Sequence, residues 1–207
     1  MRPKNQYGRS MVEMLGVLSI IGVLSAGALA GYQKAMREYQ LNQFSDSFRM
    51  FMADMFEMST KLPYAKENEW ITSFVAKMKN YEPFLTYRSQ RLYDKFGNKI
   101  TVMNRTNQRL ILYSWENDEK MKPVDLCERV VRICRENASE LYYVSINRSA
   151  NSMDKTVEGY RPVQLYGKFY GDYKGSGKYL KDLSVLDIKE VCSQCDGDGC
   201  RAYIIWK

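Results

Sequence analysis

The N-terminal part of the chain contains a long apolar run. From Met14 to Gln33 no residue carries a charge, over the sequence MLGVLSIIGVLSAGALAGYQ. Twenty residues of helix rise about 30 Å, which is the thickness of the hydrocarbon core of a bilayer. The run therefore predicts a membrane-spanning helix. A cleaved signal peptide is the alternative, but its apolar region is usually about 7–15 residues long, and here the helical pattern continues beyond the run.

A regular amphipathic pattern follows the apolar run. Hydrophobic residues recur at alternating steps of three and four, and no proline occurs between the run and Pro63. The stripe consists of Leu41, Phe44, Phe48, Phe51, Met55, Met58 and Leu62. This spacing predicts one helix from about Arg9 to Leu62. A two-helix coiled coil also fits the spacing, but the phenylalanines are bulky for a tight seam and favour burial against a sheet.

Residues 64–207, called the headgroup below, have the mixed pattern of an α+β domain. KITVMN and RLILYSW predict a hairpin closed by the polar loop Arg105–Gln108, and ELYYVSIN, VQLYGKF and AYIIW predict further strands. We expect a short helix over Asn68–Asn80, with one side formed by Trp70, Ile71, Phe74, Val75 and Met78. Pro123 opens a second helix, whose apolar face holds Leu126, Cys127, Val130, Val131 and Cys134. The expected fold is a long N-terminal α-helix packed on an antiparallel β-sheet.

Composition narrows the chemistry that the chain can perform. The 207 residues are 45% hydrophobic and 27% charged, as in an ordinary globular protein, and they carry a formal net charge of +7. The chain contains no histidine. This absence excludes the usual serine or cysteine triad and a histidine-ligated zinc enzyme.

A carboxylate at the start of the apolar run requires explanation. Glu13 is costly beside lipid, so a functional role and a cationic partner are expected. The surrounding sequence GRSMVE, with the apolar run after it, resembles the type IV pilin and pseudopilin family, and is similar to type IVb and alphaproteobacterial major pilins. Precursors in that family have a short basic leader that ends in glycine, and a glutamate at the fifth mature residue. Gly8 and Glu13 have this register.

The resemblance implies a processing and assembly scheme. A prepilin peptidase would remove the leader, residues 1–8, after Gly8, and Arg9 would become the methylated N-terminus. Residues 9–33 would form the transmembrane and assembly half of the helix, and residues 34–62 its amphipathic half. Glu13 would neutralise the terminal amine of a neighbouring subunit. Gly27 and Gly31 form a small-xxx-small pair that suits close helix packing.

The expected function is that of a non-enzymatic structural subunit of a type IV pilus. Its partners would be other copies of the chain, the prepilin peptidase and an assembly platform in the inner membrane. The basic residues Arg2, Lys4 and Arg9 predict a cytoplasmic N-terminus. The headgroup would therefore be periplasmic before assembly and extracellular in the pilus. Two alternatives remain open, a type II secretion pseudopilin and an unprocessed single-span binding protein.

Five cysteines in a domain beyond a membrane predict an oxidising compartment and at least one disulfide. The resemblance implies that Cys127 pairs with Cys192, as in the family's C-terminal loop. Cys195 and Cys200 flank the turn-rich sequence DGDG and form a candidate second pair on opposing strands, although Cys134 with either one stays open.

Other chemistry has weaker support in the sequence. The cluster Cys192, Cys195 and Cys200, completed by Cys127 or Cys134, forms a four-cysteine zinc site as an alternative to the disulfides, but neither a metal nor another cofactor is expected. The sequence GKFYGDYKGSGKY combines tyrosine and lysine as single-strand nucleic-acid surfaces do. Because this pattern is also common on exposed loops, a nucleic-acid partner is not expected for the chain.

Overall fold

The computed structural model describes residues 11–78, 85–115, 121–148, 162–168, 177–195 and 199–207. Contacts divide the chain into two compact units, Met1–Gln40 and Leu41–Lys207. Helix α1, Met11–Lys61, contributes to both. The remaining elements are β1 Glu69–Trp70, α2 Thr72–Met78, β2 Leu85–Arg88, β3 Arg91–Asp94, β4 Lys99–Asn104, β5 Arg109–Trp115, α3 Pro123–Glu136, β6 Leu141–Arg148, β7 Val163–Tyr166, β8 Lys178–Tyr179, α4 Val185–Ser193 and β9 Cys200–Trp206.

The strands form one sheet in the order β2-β3-β4-β5-β9-β6-β7-β8, and β1 pairs with the end of β4. All pairs are antiparallel except β7 with β8. The last strand, β9, lies between β5 and β6 at the centre of the sheet. This arrangement confirms the α+β expectation, and it confirms the β4–β5 hairpin, whose turn is closed by the Arg105 N–H and the Gln108 carbonyl at 3.0 Å.

The amphipathic part of α1 packs on one face of this sheet, called the inner face. Every member of the predicted stripe from Leu41 to Met58 is buried, and Leu62 lies half-buried just after the helix. Phe44 and Phe48 stack near Tyr113 of β5, with ring centroids 6.2 and 5.6 Å from it. Phe56 meets Trp206 of β9 edge-on at 6.1 Å. The bulky rings therefore pack against a sheet, as expected.

The β3–β4 turn is held by a buried polar cluster. Asp94 accepts hydrogen bonds from the backbone N–H groups of Phe96 and Asn98 at 2.9 and 2.8 Å. Its other oxygen accepts from the Asn98 side chain and from the Tyr113 hydroxyl. Burial raises the pKa of Asp94, although these hydrogen bonds oppose the shift. Burial, together with the Asp94 charge, raises the pKa of Tyr113 as well. The cluster turns the one carboxylate of this hairpin toward the core.

The predicted helix over residues 68–80 is shorter than expected. Residues 69–70 form β1, the helix covers Thr72–Met78, and residues 79–80 lie outside the described part of the chain. The Ile71 N–H donates to the Val102 carbonyl at 3.0 Å, and the Val102 N–H donates to the Thr72 hydroxyl at 2.9 Å. These bonds draw the start of the segment onto the sheet.

The expected apolar side of this segment is also wrong in part. Ile71 and Val75 are buried, whereas Trp70, Phe74 and Met78 are 56%, 47% and 47% exposed. Trp70 and Ile71 precede α2, and within this short helix Val75 lies about 100° from Phe74, so one side of the helix faces the core and the other faces solvent.

Candidate functional site

The first half of α1 is an exposed apolar helix. Every residue from Met11 to Met36 is exposed. Between Met11 and Lys34, Glu13 is the only charged residue. An 18-residue window has a mean hydropathy of 2.0, so this helix is long and apolar enough to span a membrane. The Ser19 hydroxyl donates to the Leu15 carbonyl at 2.8 Å, which satisfies a polar group within the helix. Such a surface requires lipid or protein around it.

Glycines in this segment make no close contact with the part of the chain that the structure describes. A Cβ atom added at Gly16, Gly22, Gly27 or Gly31 would meet nothing within 4 Å there. Each glycine in a helix costs about 1 kcal/mol relative to alanine. Among the described residues, no packing contact offsets this cost.

The C-terminal end of α1 is fixed by a buried arginine. Arg109 of β5 is 3% exposed, and its Nη2 donates to the carbonyls of Ser59, at 2.9 Å, and of Leu62. Opposite it on β4, the Asn104 side chain donates to the Pro63 carbonyl at 3.0 Å. The last carbonyls of a helix lack intrahelical partners and carry partial negative charge, so a guanidinium is well suited there.

A second contact joins α1 to α3. Arg49 makes a two-pronged ion pair with Glu136, with Nε–Oε2 at 2.9 Å and Nη2–Oε1 at 3.1 Å. The hydrogen bonds from Arg49 lower the pKa of Glu136. Because both side chains are nearly half exposed, solvent weakens the contribution of this pair to stability. The pair instead helps to fix the orientation of α1 relative to α3, because two planar groups joined by two hydrogen bonds hold a defined geometry.

Two disulfides hold the C-terminal part of the headgroup. Cys127 of α3 is bonded to Cys192 of α4, with Cα atoms 5.7 Å apart, and Cys195 is bonded to Cys200, with Cα atoms 5.1 Å apart. These are the pairs named from the sequence. Cys195 and Cys200 do not lie on opposing strands, however. Cys195 follows the end of α4 and Cys200 begins β9, so this bond ties a helix end to the central strand.

Cys134 is the unpaired cysteine of the chain. It lies on the buried face of α3, and burial raises the pKa of its thiol. A neutral buried thiol reacts slowly, so its role is that of a small core residue.

Helix α4 was not predicted from the sequence. Ser184 and Asp187 form a capping box at its start, with the Asp187 N–H donating to the Ser184 hydroxyl at 3.1 Å. Lys178 of β8 donates to Asp187 at 2.5 Å and to Glu190 at 3.2 Å. The bond from Lys178 is the main cause of the lowered pKa of Asp187. The Ser-x-x-Asp spacing was the signal that could have revealed this helix.

The structure gives less information about the other predicted features. Gly8 and Arg9 lie outside the described residues, as does most of the tyrosine- and lysine-rich segment, over residues 169–176. Among the residues that the structure describes, no group of three or more acidic or cysteine side chains is placed to hold a metal ion. Four of the five cysteines are held in disulfides, which leaves the zinc alternative without its thiolates.

Comparisons with known proteins add no relative. No family model matches the chain, no curated protein matches it, and no solved structure matches it.

Proposed function

We propose that the chain is a structural subunit of a type IV pilus, cut after Gly8 and polymerised through the first half of α1. The observation that supports this proposal most strongly is that one helix has two different surfaces. From Leu41 to Met58 the side chains of its apolar stripe are buried against the sheet, whereas from Met11 to Met36 the apolar side chains are exposed. The second surface is available to lipid before assembly and to other subunits afterwards.

Glu13 supports assembly rather than simple anchoring. An anchor helix gains little from a carboxylate in its first turn, because the helix dipole favours it by about 1 kcal/mol at most and the charge opposes burial in lipid. In a filament core, a carboxylate and the terminal ammonium of a neighbouring subunit would neutralise each other. That pairing would fix the axial step between subunits. In this proposal Glu13 sets the axial register between neighbouring subunits, and the apolar side chains around it supply the buried contact area.

The open glycines support close contact between helices. Where added side chains would meet nothing in the subunit, their absence permits another backbone to approach. Gly27 and Gly31 are four residues apart and so share one face. We assign that face to contact with a neighbouring subunit.

The disulfides support an oxidising location for the headgroup. Cys127–Cys192 closes a long loop, and Cys195–Cys200 ties α4 to β9. Together with the basic N-terminal flank, they support the proposal that the headgroup is periplasmic before assembly and extracellular afterwards. The proposed role is structural and involves no catalytic residue or cofactor.

Electron microscopy of surface filaments tests the proposal. Cells in which the chain is deleted should lack one class of filament, and restoring the chain should return it. Restoring Gly8→Val should leave an uncut precursor in the membrane and no filaments, because the peptidase needs close backbone approach at the cleavage site.

Two results would support other roles. If secretion fails on deletion while surface filaments persist, the pseudopilin alternative replaces the pilus. If the wild-type chain keeps residues 1–8 in the membrane and cells without it still form every filament, the chain is an unprocessed anchor.

A further inference from the structure

Strands β2 to β5 and β9 are rich in basic residues. Residues 85–115 and 199–207, which contain these strands, carry eight lysine or arginine residues and one acidic residue, Asp94. Acidic residues adjoin these ranges in the sequence, Glu116, Asp118 and Glu119 after β5 and Asp196 and Asp198 before β9. The strands are neighbours in the sheet, in the order β2-β3-β4-β5-β9, so their basic residues are brought together in space.

Strand register places four of these cations on the same side. Arg88 and Arg91 are directly opposite each other, and Lys99 is opposite Tyr93. Ser114 of β5 is opposite both Lys99 and Arg201. Directly opposed residues share a face, and so do Arg91 and Tyr93, which are two residues apart on β3. All of these side chains therefore lie on the side of the sheet away from α1, called the outer face.

The spacing of the strands sets the size of this surface. Neighbouring strands lie about 4.8 Å apart, so the four steps from β2 to β9 span about 19 Å. Asp94 does not neutralise the surface, because its carboxylate is turned inward to Asn98 and Tyr113.

The β2–β3 hairpin has two energetically unfavourable features at its arginines. Like charges directly opposite each other on paired strands repel, and Arg88 and Arg91 are both exposed. The two residues between them, Ser89 and Gln90, have positive φ angles of 48° and 61°, which are uncommon for residues other than glycine. The contact of Arg88 with the Tyr93 ring offsets part of this cost, and an anionic ligand beside the two arginines would offset more of it.

Aromatic rings lie among the cations. The Arg88 guanidinium lies over the Tyr93 ring, 4.3 Å from its centroid. Tyr203 lies two residues after Arg201 on β9, so the two share the outer face, and both are half-buried. Tyrosine rings on a sheet give flat surfaces on which bases stack, and arginines pair with phosphates through two N–H groups.

We propose that the outer face of β2, β3, β4, β5 and β9 binds single-stranded nucleic acid, with Arg88, Arg91, Lys99 and Arg201 on phosphates and Tyr93 and Tyr203 beside bases. This proposal departs from the expectation of no nucleic-acid partner, because the surface depends on strand register and lies outside the segment Gly167–Tyr179. It does not depend on the proposed pilus role, because it lies wholly in the headgroup.

Fluorescence anisotropy of the full chain in detergent micelles tests this assignment. The probe is a labelled thymidine oligonucleotide of about 20 nucleotides, titrated over a range of salt concentrations. The variant Arg88→Gln/Arg91→Gln/Arg201→Gln should bind at least about tenfold more weakly at low salt. The slope of log affinity against log salt should fall by about 2, because each phosphate contact with a single strand contributes about 0.7.

Two controls separate this site from general attraction of charge. Lys66→Gln/Lys181→Gln/Lys189→Gln makes the same change in net charge at exposed lysines of other elements, and it should leave the salt slope unchanged. Tyr203→Leu should weaken binding of the oligonucleotide at least about fivefold, but not binding of an abasic strand of equal length.

The assignment is overturned if the two triple variants lose affinity equally, because attraction would then be spread over the whole chain. It is also overturned if dextran sulfate or the abasic strand binds as tightly as the oligonucleotide, because the surface would then recognise anionic polymers without regard to bases.

Discussion

Glu13 differs from its neighbours because it is the only charged residue between Met11 and Lys34. The structure places it on the exposed surface of α1. We expect Glu13→Ala to be inserted and cleaved normally, since a longer apolar run favours insertion. It should fail to enter filaments, because the neighbouring ammonium would lose its counter-charge.

The measurement is the ratio of sheared filament protein to membrane protein by immunoblot. Glu38→Ala, which removes an exposed carboxylate from the polar part of the same helix, is the matched control and should assemble normally. Wild-type filament yield from Glu13→Ala would contradict the charge-pairing role.

Arg109 is the residue whose burial carries the clearest stability prediction. Its substitution by methionine keeps the apolar stem but leaves the carbonyls of Ser59 and Leu62 without their charged donor. We expect the free energy of unfolding to fall by about 2–3 kcal/mol. Urea unfolding in micelles, followed by fluorescence of the buried Trp115 and Trp206, measures this loss.

Arg105→Met is the matched control for that experiment. Arg105 lies in the adjacent β4–β5 turn, and the hydrogen bond that its side chain makes is to the weak acceptor Met103 Sδ, at 3.4 Å. We expect a change within about 0.5 kcal/mol. Equal losses in the two variants would show that Arg109 has no special role at the helix end.

At the residue scale, the sequence predicted which face of a strand a side chain occupies better than it predicted which atoms that side chain contacts. The apolar segment RLILYSW predicted a strand, and the two-residue repeat of a strand places Arg109 on the same face as Ile111 and Tyr113. A charged residue on a buried face is costly unless it finds acceptors. Those acceptors lie about fifty residues earlier, at the end of α1, and strand periodicity carries no information about them.

At the scale of elements, the glycines of α1 give a test of packing. At Gly27 and Gly31 an added Cβ atom meets nothing within 4 Å among the described residues, so Gly27→Leu and Gly31→Leu should each insert and be cleaved. Helix propensity should even improve, by up to about 1 kcal/mol for each glycine replaced. Filament yield should nevertheless fall, because the neighbouring helix could no longer approach that face.

Ala26→Leu is the matched control for the glycine variants. It adds bulk to the same helix at a position about 100° away from Gly27 and about 140° away from Gly31. Higher yield from Ala26→Leu than from either glycine variant supports a specific contact face. Normal yield from Gly27→Leu and Gly31→Leu would show that no close helix contact occurs there.

The two disulfides should differ in how much they stabilise the headgroup. In the chain-entropy model, Cys127–Cys192, with a sequence separation of 65, contributes about 4 kcal/mol. Cys195–Cys200, with a separation of 5, contributes about 2 kcal/mol. Unfolding of the double alanine variants should reproduce that order, because the longer loop loses more freedom.

Single cysteine variants add a check on the first pair. Cys127→Ala and Cys192→Ala should give matching losses, and the double variant should cost no more than either. Peptide mapping under non-reducing conditions identifies the bonds directly. A bond that includes Cys134 would contradict the assignment, because Cys134 is buried and unpaired in the structure.

Elements with strong periodicity were predicted, and those set by tertiary contacts were not. The stripe in α1 and the alternation in β4 and β5 were long enough to be read from the sequence. The β2–β3 hairpin was missed because its turn, Ser89-Gln90, lacks the asparagine or glycine that usually marks a two-residue turn. The helix over 68–80 was misjudged because backbone bonds to Val102 set its start.

At the scale of the whole molecule, the chain joins two kinds of surface in one helix. The part from Leu41 onward belongs to an α+β unit with a buried core, whereas the part before it exposes apolar side chains. The sequence predicted this division because charge and hydropathy change together after Gln33. It could not predict the cationic outer face, because strand register brings together residues that are about a hundred positions apart.

Mass spectrometry of the N-terminus, on protein recovered both from membranes and from sheared filaments, tests the central claim most directly. The account predicts that filament protein begins at Arg9, with or without a methyl group, and that Gly8→Val leaves only precursor that begins at Met1. Filament protein that retains residues 1–8, or a mature form cut at another bond in both wild type and Gly8→Val, would contradict it.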